Sequence, residues 1–257
     1  VSGANAWSVG VGNEVDGDAA AALGSSNTVD GDRSLSGGEN NRTDGDNALV
    51  FGSLNDVSAD GSATVGEGNT VSSVADWSMV SGEGNDVAGR AAVVFGTSNV
   101  LSGDHGLVGG TNSEVSGENS MAVGDVATAS SETSYAFGSD VTASGIGSFV
   151  GGTTLSGSGT ASTAFGDDNV ASGNFSAVFN QRSTASGPWS TAFGLNTLAS
   201  GPICFSAGRT PRPPERRAPR SDRTPHHLET APPPSGSVRP PHPPMPLPWG
   251  SNPVPSW

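Results

Sequence analysis

Residues 171–201 read ASGNFSAVFNQRSTASGPWSTAFGLNTLASG, and one tripeptide occurs in them three times. Ala-Ser-Gly begins at Ala171, at Ala185 and at Ala199, so the spacing is 14 residues each time. A constant period of this length is typical of proteins in which one structural unit is stacked many times. The stretch therefore predicts a repeat architecture with a unit of 14 residues.

One glycine position follows this period through residues 1–208, and we use it as the anchor of each repeat. One step is 16 residues long instead of 14; it falls in VSSVADWSMVS, before Gly82, and we interpret it as a bulge in one loop. Asn180 occupies the position once, and a second glycine follows most anchors after seven residues. The anchors are Gly10, Gly24, Gly38, Gly52, Gly66, Gly82, Gly96, Gly110, Gly124, Gly138, Gly152, Gly166, Gly194 and Gly208.

Residue size alternates around each anchor. Small residues stand four and two positions before it, whereas bulky residues often stand three positions and one position before it. Such alternation indicates a strand with two different faces. An Asn-x-Val or Asn-x-Ala segment follows the anchor and predicts a Gly-Asn turn leading into a second short strand. Two strands and two turns per unit predict an all-β parallel β-roll, a β-solenoid about 70 Å long with coils about 4.8 Å apart.

The bulky face carries a row of phenylalanines, one position before the anchor slot. If the interior of the roll takes the small face, this row forms an apolar stripe outside, and we predict that a homotrimer buries it. The alternative places the phenylalanines inside the roll and leaves a self-sufficient monomer. The residues of this predicted trimer-interface stripe are Phe51, Phe95, Phe137, Phe165, Phe179 and Phe193.

Composition and charge narrow the class of protein. The chain has 38 glycines and only 33% hydrophobic residues, which is too few for a conventional globular core. Disorder would fit this composition, but the regular spacing favours a repeat of tightly stacked small residues. Residues 1–208 carry 22 acidic residues and four arginines, a net charge of −18. We therefore expect no nucleic-acid partner and no direct contact with anionic membranes.

The repeat resembles the YadA-like head repeat of trimeric autotransporter adhesins. The shared pattern is Ser-x-Ala-x-Gly-x-x-Asn-x-Val/Ala-x-x-Gly, seen here as STAFGDDNVASG at residues 162–173 and as STAFG at residues 190–194. The resemblance covers about residues 1–208. It implies a left-handed β-roll, assembled as a homotrimer and displayed on the bacterial surface, where it binds host matrix proteins or other cell-surface ligands. We expect its anchor to be a C-terminal region missing from this sequence.

Residues 209–257 break the pattern. They hold 16 of the 18 prolines and seven of the 11 arginines, and glycine nearly vanishes. A native segment of this composition is predicted to be a disordered Pro/Arg-rich tail. We favour a different interpretation, in which the tail is a frameshifted end of the gene, because the change occurs in mid-repeat and the chain starts at Val1 inside a repeat.

A second column of the repeat is acidic. Asp18, Asp32, Asp46 and Asp60 occupy one position in successive coils. Stacked carboxylates are hard oxygen ligands of the kind that Ca²⁺ prefers. A hydrated turn on an acidic surface explains them equally, and we favour it, so that no cofactor is expected.

Catalytic signatures are not found, and we expect no enzyme. His105 stands beside Asp104 in a predicted loop, but every serine resembles its counterparts in the other repeats. Cys204 occupies a position that elsewhere holds Ser or Ala, so we interpret it as a small substitution. The sequence therefore predicts a non-enzymatic adhesin head that binds multivalently as a rigid trimeric rod. The alternative is a structural segment of a phage or virion tail fibre built from the same repeat.

Overall fold

The computed structural model describes residues 1–208, which form an all-β solenoid of parallel strands. In each coil the chain passes through a long strand, a turn, a short strand and a second turn. No helix of the described residues is long and apolar enough to cross a membrane. The predictions made for residues 209–257 lie outside the described residues.

The strands fall into groups by length. The five-residue strands are Trp7–Val11, Ala21–Ser25, Leu35–Glu39, Leu49–Ser53, Ala63–Glu67, Met79–Glu83, Val93–Thr97, Leu107–Thr111, Thr163–Asp167, Ala177–Gln181 and Thr191–Leu195. The two-residue strands are Glu14–Val15, Thr28–Val29, Arg42–Thr43, Asp56–Val57, Thr70–Val71, Asp86–Val87, Val100–Leu101, Glu114–Val115, Val170–Ala171, Thr184–Ala185 and Leu198–Ala199. The nine-residue strands are Met121–Ala129, Tyr135–Ala143 and Phe149–Gly157, and Phe205–Ala207 is the last strand.

The strands pair in register from coil to coil, which confirms the 14-residue unit. Each long strand pairs in parallel with the long strand of the next coil, and each short strand does the same. Gly66 pairs with Gly82 across the 16-residue step. The two extra residues lie between the strands Thr70–Val71 and Met79–Glu83 and leave the pairing on both sides intact.

Small side chains fill the interior of the roll, as the alternation predicts. Residues four and two positions before the anchor point inward, and most of them are Ser, Ala, Val or Thr. The short strand contributes a third inward position, five residues after the anchor, which is Val in most of the N-terminal coils and Ala near the C-terminal end. Ala22, Val29 and Val50 are examples with no exposed surface.

The anchor glycines lie inside the long strands, and the predicted turn into the short strand begins two residues after them. Gly96, for example, is the fourth residue of Val93–Thr97 and has a φ of 112°. A Cβ atom there would overlap the carbonyl oxygen of Gly110, the anchor of the next coil. Glycine recurs at this position because the backbones of adjacent coils approach too closely for any side chain.

The asparagines three residues after the anchor end this turn into the short strand, and most of them are buried and form a ladder through the interior. In Asn55, the backbone N–H and the side-chain amide both donate to Oδ1 of Asn41, at 3.1 and 2.9 Å. The amide also donates to the carbonyl oxygen of Gly66, at 2.9 Å. Members of the ladder with the same bonds to the preceding amide oxygen are Asn27, Asn41, Asn55, Asn69, Asn85 and Asn99.

The amide ladder ends after Asn99, where Ser113 and then three apolar residues replace asparagine. Ala127, Val141 and Leu155 occupy the same inward position in three successive coils, and they are buried. In these three coils the long and short strands merge into the nine-residue strands. Apolar packing thus takes the place of amide hydrogen bonds in this part of the interior.

Two turn residues per coil have left-handed backbone conformations. One lies two positions after the anchor and the other five positions before it. We call the second position the leading corner. Its residues are Asn5, Ala19, Arg33, Asn47, Gly61, Trp77, Ala91, His105, Asn119, Thr133, Gly147, Ala161, Phe175, Trp189 and Ile203.

Candidate interaction surface

The phenylalanines of the predicted stripe lie outside the roll. Phe51, Phe95 and Phe193 are 36%, 43% and 50% exposed, and Phe137, Phe165 and Phe179 are partly exposed. Apolar residues three positions before the anchor extend the surface on the same side of the long strands. We call this surface the outer apolar face. Its other exposed members are Trp7, Val9, Leu49, Val65, Met79, Val93, Phe149 and Phe205.

Aromatic rings contact one another along the C-terminal part of the outer apolar face. Ring centroids lie 6.1 Å apart for Tyr135 and Phe149, and 5.1 Å apart for Phe149 and Phe165. The Phe165–Phe179 and Phe179–Phe193 pairs follow, each at 6.2 Å. These spacings are typical of favourable aromatic pairs. The rings therefore form one connected row over several coils.

Glycines on the same face make room for some of these rings. The rings of Phe51, Phe95 and Phe165 occupy the space that a Cβ atom would need at a glycine of the neighbouring coil. These glycines are Gly37, Gly109 and Gly151. The three phenylalanines thus lie against the sheet and present a flatter apolar surface to the outside.

The aspartates of the acidic column accept hydrogen bonds from backbone N–H groups in the turns of neighbouring coils. One carboxylate oxygen of Asp32 accepts the backbone N–H of Asp18, and Asp46 does the same for Asp32, both at 2.8 Å. Asp60 continues the series to Asp46. Each carboxylate therefore links its turn to the coil before it. Within residues 1–208 there is no group of three or more His, Cys, Asp or Glu side chains suited to a metal ion. Calcium binding at this column stays the alternative that the sequence favours less.

The environment of Asp44 favours the neutral form of its carboxyl group. Burial raises the pKa of its carboxyl group, the Arg42 guanidinium opposes that shift, and the charges of Asp30 and Asp56 add to it. Arg42 contacts Asp44 directly and lies 3.9 Å from Asp56. The Oδ1 atom of Asp44 is buried without a hydrogen-bond partner among the described residues.

We expect Asp44→Asn to raise the melting temperature at neutral pH by a few degrees. Because the pKa of Asp44 is higher in the folded chain than in the unfolded chain, stability falls as the pH rises through the folded pKa. The variant lacks this loss, so its advantage should disappear below about pH 3.9, the ordinary Asp value. Melting curves of both proteins between about pH 3 and pH 7 test this.

The matched control for this variant is Asp56→Asn, which removes an exposed charge near the same Arg42. It should raise the melting temperature at neutral pH less than Asp44→Asn does, because Asp56 is the smallest of the causes that raise the pKa of Asp44. An Asp44→Asn protein that melts at or below the wild-type temperature at neutral pH would contradict the expectation.

The residues considered for chemistry lie apart from one another. His105 is an exposed leading-corner residue with a φ of 56°, and its backbone N–H donates to the carbonyl oxygen of Arg90. Cys204 is a free thiol, partly buried, that packs against the apolar interior. Neither is brought together with other reactive side chains among the described residues.

Comparison with known proteins agrees with this geometry. A protein of this structure is a β-solenoid with a glycine-anchored coil and one continuous apolar outer face. The family model of the YadA head domain repeat matches residues 102–127, 158–177 and 180–202. No curated protein matches the chain. The matched residues are YadA-like head repeats, and the same coil continues in register through the rest of the roll. The match indicates an adhesin-like function of the trimeric autotransporter type, a class that is generally non-enzymatic.

Proposed function

We propose that the roll is the head of a bacterial surface adhesin that assembles as a homotrimer and binds host matrix proteins or cell-surface ligands. The observation that carries this proposal is the outer apolar face, which runs along the roll from Trp7 to Phe205. The match to the YadA head repeat supports the adhesin class.

The outer apolar face repeats along the whole described roll, and such an exposed surface is unusual on a soluble monomer. Monomers rarely expose contiguous apolar patches larger than a few hundred Å², and burial of one phenylalanine side chain contributes about 2 kcal/mol. Successive coils pair in register, so the face repeats once per coil. Three copies arranged around an axis parallel to the roll bury the face along its length.

The same geometry suits adhesion by many weak contacts. A trimer displays each surface feature three times, and the roll repeats several features from coil to coil. When one contact has formed, neighbouring contacts form at a high effective concentration, so that total binding greatly exceeds the affinity of one contact. Adhesion by many weak contacts requires no single dominant ligand pocket.

We expect the full chain to sediment as a trimer and the double variant Phe137→Ser, Phe165→Ser to dissociate. Both changes remove rings from the aromatic row around Phe149 and place hydroxyl groups on the outer apolar face. Sedimentation velocity at micromolar concentration, with circular dichroism to monitor folding, measures the effect.

The control is Phe175→Ser, which removes an exposed ring from the leading corner and leaves the outer apolar face unchanged. It should remain trimeric. A compact wild-type monomer at micromolar concentration would disprove the trimer. A double variant that stays fully trimeric would show that the interface lies elsewhere.

A further inference from the structure

Trp77 is a large aromatic side chain displayed at the leading corner, where most coils have small or polar residues. It is 72% exposed and has a φ of 63°. A bulky residue in the left-handed region is strained relative to glycine. The residues at the same position in the adjacent coils are Gly61 and Ala91. The backbone strain at Trp77 contributes nothing to the packing of the interior, because the side chain is exposed.

The two-residue insertion lies in the same turn. Residues 72–78 connect Thr70–Val71 to Met79–Glu83, and they expose Val74 as well as Trp77. In repeat proteins, insertions lie in loops on one face, which is often the binding face. The insertion and the exposed ring therefore mark the same edge of the roll.

The Trp77 ring is held as a platform. A Cβ atom at Gly61 would lie 2.7–3.1 Å from three atoms of the six-membered ring, so that one face of this ring covers the glycine. The residue at the same position in the next coil is Ala91, whose side chain is only a methyl group. The ring is therefore supported at Gly61, and its exposed surface is open to stacking with a ligand.

Two aspartates adjoin Trp77 through the backbone, one next to it in the chain and one in the coil before. Asp76 directly precedes Trp77, and the carbonyl oxygen of Asp60 accepts the Trp77 backbone N–H at 2.9 Å. Oδ1 of Asp76 accepts the backbone N–H of Asp60, which leaves the second oxygen of that carboxylate without a bond in the described part of the chain. In residues 1–208 the ion pairs between side chains all involve Arg42, so both carboxylates lack an ion-pair partner.

We propose that Trp77, Asp60 and Asp76 dock an arginine side chain from a basic polypeptide segment of a partner protein. A guanidinium group stacks on an indole ring and pairs with a carboxylate at the same time, whereas a lysine ammonium group is a compact, strongly hydrated charge. The net charge of −18 on residues 1–208 also attracts a basic partner over a distance. The docking site deepens the proposed adhesive function, on which it rests.

The leading corner offers a matched comparison. Phe175 and Trp189 are also exposed there, with ring centroids 4.2 Å apart and ring planes within 9° of parallel. Their rings cover one another, and the residues beside them are Asn174 and Pro188 instead of aspartates. This pair has aromatic surface without the charge, so it should not select arginine.

The test uses the full chain and two fluorescently labelled peptides, one alternating arginine with glycine and the other lysine with glycine. Fluorescence anisotropy at low salt measures both affinities. We expect Trp77→Ala to weaken binding of the arginine peptide about two- to fivefold and to leave the lysine peptide nearly unchanged. Asp76→Asn, which keeps the oxygen that caps the turn, should weaken both peptides. Trp189→Ala should change neither.

Several results would overturn the proposal. They are equal affinity of the wild-type chain for both peptides, no binding of the arginine peptide, an unchanged affinity in Trp77→Ala, or an equal loss in Trp189→Ala. Sedimentation of the same variants reports on the trimer independently. A failure of arginine docking in an intact trimer is therefore distinguishable from a failure of the proposed head assembly.

Discussion

Gly96→Val is expected to lower the free energy of unfolding by about 3 kcal/mol or more. The φ of 112° at Gly96 is not accessible to a β-branched residue, and the new Cβ atom would overlap the backbone carbonyl oxygen of Gly110. The overlap can be relieved only by separating the two coils, which breaks the pairing that stabilises a repeat protein. Denaturant unfolding followed by circular dichroism measures the loss.

Two further substitutions are expected to give smaller losses of stability than Gly96→Val. Gly68→Ala changes a turn glycine with a φ of 63° that has no atom within 4 Å of its Cβ position, and it should cost only about 1 kcal/mol. Gly96→Asn should fall between the two, because Asn180 occupies an anchor position with its φ reduced to 88°. If Gly96→Val unfolded at the same denaturant concentration as Gly68→Ala, close approach of the coils would not be the reason for the anchor.

Asn55→Ala is expected to cost about 2–4 kcal/mol, the second large effect. The Asn55 side chain is 1% exposed, and its Oδ1 accepts both the backbone N–H and the amide of Asn69. Alanine leaves these donors without a partner in the interior and also leaves a cavity. Buried polar groups that lose their partners cost more than the bond contributes when it is intact.

The matched control is Thr70→Ala, which truncates an exposed side chain on the short strand beside the ladder. It should stay within about 0.5 kcal/mol of the wild-type chain. An Asn55→Ala protein as stable as Thr70→Ala would mean that the amide ladder contributes little. The apolar coils with Ala127, Val141 and Leu155 would then be the better model for the whole interior.

The coil and its length are predictable from the sequence because one physical demand recurs in every repeat. Glycine appears wherever adjacent backbones nearly touch, so its spacing reports the length of a coil directly. The inward face is predictable for a similar reason. Two strands this close together leave room mainly for small side chains such as Ala, Ser, Val and Thr. The alternation around Ala164 and Phe165 separates that face from the outer one.

The ladder is not evident from the sequence, because asparagine after glycine is so common in turns that local preference hides the tertiary role. One signal does point to it. Asn13 and Val15 are two residues apart, and residues with that spacing in a strand share a face. Since the valine is apolar and points inward, the asparagine beside it does so as well. The docking site at Trp77 is equally hidden, because its carboxylates come from two coils.

Residues pair with their counterparts one coil later along the whole roll. The number of coils, and with it the length of the roll, can therefore change while the structure of each coil stays the same. A coil meets the same backbone whether it is early or late in the roll, so whole units can be gained or lost by recombination between similar stretches of gene without refitting a core. The 16-residue step shows how the roll accommodates an unequal unit, since the surplus is confined to one turn. A rod of this kind can change how far it extends its binding surfaces within a few genetic events, while the chemistry of each coil stays the same.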